Sequence, residues 1–247
     1  MHFIAPDSPI ANAVINAIQH GDTEALQSLL DANEDLATAR IGDEQDIGGT
    51  LLHVATDWPG HFPHVNKSIR RLIAAGADVN AGITGPETET PLHWAASSND
   101  VDAIDALVDG KASFNSPGSV IAGGDPLENA IGFQQWDAAR RLVERGAKTV
   151  LGDEAALGLL DRIKKRFKSE NPPHRDSIVY SFWNACCAGQ LEAAAYLLDR
   201  GGEINWIPDW CNETALDGAI NNAHTEVIAW LESKGAERAP PTESSQD

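Results

Sequence analysis

The chain has 247 residues, with 18 lysines and arginines against 37 aspartates and glutamates, and a formal charge of −19 with histidine neutral. So acidic a protein has no broad basic face with which to release counterions from nucleic acid or an anionic membrane, and neither is expected as a partner. Hydrophobic residues make up 42%, enough for real cores, yet the apolar runs fall short of the roughly 18 residues a membrane helix needs.

The opening stretch, MHFIAPDSPI, has no basic region leading into an apolar one, and the three cysteines, Cys186, Cys187 and Cys211, cannot build a disulfide framework. A cytoplasmic location is the expectation. Along the chain one phrase returns: TLLHVA at 50–55, TPLHWA at 90–95, DPLENA at 125–130 and TALDGA at 214–219. Each opens on a side-chain oxygen able to cap a helix, with Pro91 or Pro126 at the first helical position in two cases. Asp125 and Glu128 have the spacing of a capping box. Sixteen residues beyond the final alanine a glycine recurs, at Gly146, Gly201 and Gly235, and predicts a helix stop. The same step from Ala17 reaches Asn33. From Ala95 it reaches Lys111, so the cap is expected to move back to Gly110.

Ala55 reaches Gly76 only after five additional residues, which predicts an insertion in DWPGHFPH, 57–64. Between these anchors the apolar spacing is helical, as in Val101, Ile104, Leu107 and Val108, so each unit reads as a helical hairpin. A truncated pair is expected at 153–168, then an irregular loop at 169–176. The stretch 239–247, APPTESSQD, has no apolar anchor and is expected to be disordered.

A period of about 33 to 35 residues, TPLHxA opening one helix and GADVN at 76–80 closing another, resembles the ankyrin repeat. The resemblance covers about residues 9–238, and the phrases ATDWPGHFP, ETPLHWAASS and AALGLLDR are similar to those of uncharacterised bacterial ankyrin-repeat proteins. It implies an all-α solenoid of about seven helix-turn-helix units in a single domain over 1–238. The first and fifth units would be degenerate and the second would carry the insertion. It further implies a concave groove, lined by the first helices and the turn tips, where partners bind.

On that face the register places Asp57, Trp58, Trp94, Ser97, Ser98, Asn129, Phe133 and Asn184, roofed by the insertion with His61, Phe62 and His64. Trp58 and Trp94 are expected as exposed neighbours from adjacent units, unless the insertion folds down over them. Trp206 and Trp210 flank a further turn tip, and tryptophan is enriched where binding energy concentrates.

Other residues read more plainly. His53 and His93 occupy a place where the ankyrin imidazole bonds the turn backbone. His61 and His64 have metal-ligand spacing but no further ligands nearby in sequence, so no metal role is assigned. Cys186 should be buried and Cys187 should face the groove, with no base near either. Trp183 and Trp230 read as core. The basic run Arg162, Lys164, Lys165, Arg166 and Lys168 reads as the solvated face of a helix whose Ile163 and Phe167 pack inward, with an acidic partner as the alternative. Nucleotide, hydrolase and protease signatures are absent.

The expected function is therefore non-enzymatic binding of another protein, with no cofactor and no catalytic residue assigned. The alternative is a small-molecule or catalytic pocket under the insertion using Asp57, His61 or His64. A third reading has the acidic exterior mimicking nucleic acid or shielding a basic partner, which requires steep salt dependence.

Overall fold

The computed structural model describes residues 2–42, 48–85, 88–121 and 123–241. It divides into two compact units, Met1–Lys148 and Thr149–Asp247.

In the first unit, α1 (Pro9–Gln19) pairs with α2 (Thr23–Ala32), α3 (Leu51–Thr56) with α4 (Val65–Ala74), α5 (Pro91–Ser97) with α6 (Val101–Asp109), and α7 (Pro126–Gly132) with α8 (Trp136–Arg145). First helices stack in the order α1, α3, α5, α7, and second helices in the order α2, α4, α6, α8. A hairpin this small cannot bury its apolar stripe alone, so the core lies between successive pairs. Leu51, Leu52, Ile69, Leu72, Leu92, Ile104, Leu107, Leu127 and Leu142 are sealed there. The connection between α3 and α4 runs from Asp57 to His64, whereas α5 and α6 are joined by Ser98–Asp100.

The recurring phrase forms these helices by reciprocal capping. The Thr50 N–H donates to His53 Nδ1 at 3.1 Å, and the Thr90 N–H to His93 Nδ1 at 3.0 Å. Because Nδ1 accepts, the proton sits on Nε2, which donates onward to the carbonyl of Glu89 from His53 (3.0 Å) and of Gly124 from His93 (3.3 Å). Each imidazole thus ties a helix start to the turn opening the next pair. At the third phrase a carboxylate does the capping: Asp125 Oδ1 accepts from the Glu128 N–H, and Glu128 Oε2 from the Asp125 N–H.

Gly76 and Gly146 take the left-handed conformation expected at helix stops. Asn33 and Gly110 cap their helices as expected, but neither is left-handed. Asn33 is extended, with φ −138. Lys111 is itself left-handed at φ 73, while Gly110 stays at φ −76. An added Cβ at 110 would lie 2.4 Å from Ile73 Cδ1, the turnable end of that side chain.

A small sheet precedes α3. Phe3–Ile4 (β1) pairs parallel with Arg40–Ile41 (β2), which pairs antiparallel with Gly49–Thr50 (β3). Strands of two residues show no alternation, so the sequence reading had no signal for them.

The second unit holds α9 (Leu151–Ala156) with α10 (Leu160–Phe167), α11 (Arg175–Cys187) with α12 (Leu191–Leu198), and α13 (Ala215–Asn221) with α14 (Thr225–Ser233). Here α11 lies between α9 and α13. Phe182, Ala185, Cys186, Leu197, Leu216 and Leu231 form its core. Gly201 and Gly235 are left-handed, as expected of helix stops. Within the basic run, Ile163 is buried and Phe167 half-buried, while Arg166 turns inward and donates to the buried Glu154 carboxylate at 2.7 Å.

The last capping phrase carries Asp217 where the first two carry histidine and the third carries Glu128. Its carboxylate accepts from the Thr214 N–H (3.1 Å), Arg238 Nε (2.7 Å) and the Ala239 N–H (2.7 Å). Burial alone would raise its pKa, but these donors hold it down at about 2. Asn212 also donates to the Pro240 carbonyl at 3.2 Å. Ala239 and Pro240, where disorder was expected to begin, are therefore tied to this unit; residues 242–247 lie outside the described residues.

Candidate functional site

In the first unit the anticipated residues separate. Trp58 follows the C-terminus of α3 and is 80% exposed. Trp94 lies near the start of α5, where its ring meets His53 edge to face at 5.0 Å, and it is only half-buried. The Trp94 ring thus packs against His53 in the first turn of α3, whereas Trp58 lies past the end of that helix. Indole Nε1 of Trp94 donates to Glu89 Oε2 at 3.1 Å.

Glu89, which the sequence reading passed over, is the organiser here. Its Oε1 accepts from Asn129 Nδ2 at 2.8 Å and from the Val120 N–H at 3.1 Å. Asn129, expected on the groove surface, is instead only 1% exposed, because its amide is taken up by Glu89 and by the Ser119 hydroxyl. A buried carboxylate with several neutral donors is satisfied without a counter-ion.

The 57–64 connection docks on the turn that follows α5. The His61 N–H donates to Asp100 Oδ2 at 2.7 Å, and its imidazole Nε2–H to the Ser98 carbonyl at 3.1 Å, so the loop is pinned to the turn between α5 and α6. Ser97 and Ser98 are half-buried, with both hydroxyls donating to the Trp94 carbonyl. Asp57 is exposed, its carboxylate accepting from the Trp58 N–H; partial burial pushes its pKa up. His64 is exposed and left-handed at the start of α4, and Phe133 is exposed at the end of α7. An open hollow of about 410 Å³ beside the insertion is lined by His61, Phe62, Val65, Asn99, Asp100, Val101, Asp102 and Asp137. No group of three or more His, Cys, Asp or Glu able to hold a metal ion occurs among the described residues.

In the second unit the aromatic residues converge. Trp210, 60% exposed, meets Tyr180, Trp183 and Trp206 at ring-centroid distances of 5.8, 6.4 and 5.8 Å, all edge to face. Tyr180 and Trp183 stand on α11, while Trp206 and Trp210 come from the turn before α13. Trp183, expected in the core, is half-buried because its Nε1–H reaches the Glu213 carbonyl at 3.1 Å. Trp230 is also half-buried, against Phe182. Asn184 is half-buried one turn beyond Tyr180.

Cys186 is buried and Cys187 half-buried; burial pushes both thiols up in pKa, away from the thiolate a nucleophile requires. Cys211 is raised by the same cause.

Paired helices stacked through their first members define an all-α protein of the repeat-solenoid class. Residues 64–153 match the family model for ankyrin repeats, in three copies, so this part of the chain is built of ankyrin repeats. A comparison with curated proteins gives no significant match. Ankyrin repeats are in general protein–protein interaction modules. No helix among the described residues is long and apolar enough to cross a membrane.

Proposed function

We propose that this chain binds another protein, without catalysing a reaction, through pre-formed surfaces made by first helices and the turns beside them. The observation that carries the reading is Trp210, mostly exposed yet held against three further aromatic rings. A large side chain already fixed by its neighbours loses little conformational freedom when a partner covers it, and tryptophan and tyrosine concentrate binding energy. Trp58 supplies a second exposed anchor in the first unit, flanked by Asp57, with Phe133 exposed in the same unit.

Trp94, Ser97, Ser98 and Asn184 are half-buried supports in this reading, and Asn129 acts through Glu89 by holding Trp94. The pocket reading under the insertion has less to recommend it, since His61 spends both its backbone N–H and its imidazole on the neighbouring turn.

Capture of partners from native cell extract tests the proposal, using wild type, Trp210→Ala and Trp58→Ala. A protein retained by wild type and lost in either variant, with the melting curve unchanged, is the expected result. Identical capture by all three would overturn the assignment of these surfaces.

A further inference from the structure

We propose that the aromatic surface of the second unit, Tyr180, Trp183, Trp206 and Trp210, receives a basic segment of the partner protein, an arginine or lysine side chain lying on the indole of Trp210. This rests on the protein-binding reading above and adds the chemistry of the partner.

Three observations point to a cation. The first is exposure: Trp210 is 60% exposed, and none of its ring contacts, at interplanar angles of 70°, 85° and 70°, is a parallel stack. Exposed indole faces are the strongest aromatic acceptors for a guanidinium or ammonium group. The second is charge. The segment 199–213, which carries Trp206 and Trp210, holds Asp199, Glu203, Asp209 and Glu213 against Arg200, within a chain of net charge −19. That field draws a cation in and holds an anionic segment off.

The third lies a few residues away in the same unit. Arg200 lays its guanidinium carbon 3.4 Å from the centroid of the Tyr196 ring and 5.6 Å from that of Phe167, while Lys164 Nζ stands 5.9 Å over Tyr196. The aromatic pair on that side is thus served by the chain's own cations. Among the described residues no arginine or lysine is placed over Tyr180, Trp183, Trp206 or Trp210 in this way, and the nearby Arg175 is paired with Glu203 at 2.6 Å. A basic segment from outside is what this surface fits.

The experiment is a titration of the full chain, at physiological salt, with a Gly/Ser peptide carrying spaced arginines and with the same peptide bearing citrulline at each arginine. The indole N–H resonances are followed by NMR. Saturable shifts of the Trp210 and Trp206 signals with the arginine peptide alone are expected. Trp210→Ala should weaken that binding by about tenfold, with Trp210→Phe in between.

Equal binding of the citrulline peptide would overturn the cation, and equal binding by Trp210→Ala would show attraction to net charge rather than to this surface. If neither peptide binds while Trp210→Ala still loses a captured cellular protein, the basic segment is refuted and the protein-binding reading stands. If Trp210→Ala leaves capture unchanged, that reading itself fails at this surface.

Discussion

At the scale of single residues, the buried imidazoles set the acid limit of the fold. Desolvation lowers the pKa of His53 from 6.5 to about 4, and burial lowers His93 in the same direction. For His53 the Glu89 carbonyl works against that shift, whereas the positive charge of Arg40 adds to it. Over this window the unfolded chain binds protons that the native chain refuses, so the associated stability is fully present above pH 6.5 and is lost as pH falls toward 4. For His53 it amounts to about 3 kcal/mol. Denaturant titrations at pH 7 and 4.5 should show wild type losing about 2 to 3 kcal/mol more than His53→Gln on acidification; equal losses would mean the imidazole is not held neutral. Asp217, held down at about pKa 2, contributes stability that is fully present above pH 3.8 and is lost only as pH falls toward 2.

Lys111 offers a test of the opposite sign. It holds φ 73 at a helix stop where four other pairs place a left-handed glycine, Gly76, Gly146, Gly201 and Gly235. A side chain in the left-handed region costs roughly 1 kcal/mol, so Lys111→Gly should stabilise the protein by about 0.5 to 1 kcal/mol despite the greater freedom of glycine in the unfolded chain. Thermal melts of the two proteins decide it, and a lower melting temperature for the variant would contradict the cap geometry.

Among elements, stability resides in the interfaces between successive pairs. Leu142 on α8 and Leu197 on α12 are completely buried, one in each unit. Leu142→Ala and Leu197→Ala should each cost about 2 to 5 kcal/mol by opening a cavity that neighbouring helices only partly close. An unaltered denaturation midpoint in both would remove those helices from the core. The outer faces of α4, α6 and α8 add a polar seam. Asp105 accepts from Arg141 Nε and Nη2 at 2.8 and 2.6 Å and from Arg145, while Asp109 pairs with Arg145 at 2.7 Å and Arg70 at 3.1 Å. Being partly open to solvent, these pairs are worth less than the apolar seam beneath them.

Most helices were legible from sequence because each is announced twice, by a capping phrase and by a residue able to turn left-handed. The site was less legible. Asn129 holds the same register position as Trp94, yet one is buried and the other half-exposed, because the difference is made by Glu89, forty residues before Asn129 and in a different turn. Nothing local to Asn129 signals that bond. Trp183 was drawn inward by its helical spacing, whereas an indole N–H needs a partner and found one at the edge, on Glu213.

For the molecule as a whole, charge and shape make separable contributions to recognition. Net charge acts at a distance and is screened over about 8 Å at physiological salt, whereas an indole face acts only on contact. With a basic partner segment, charge should therefore govern the rate of encounter and Trp210 the rate of escape. Stopped-flow association with the arginine peptide should slow by about tenfold or more between low and high salt in wild type and in Trp210→Ala alike. Dissociation should be about tenfold faster in Trp210→Ala at either salt. Were the substitution to change only the association rate, the tryptophan would belong to the steering field and not to the bound contact.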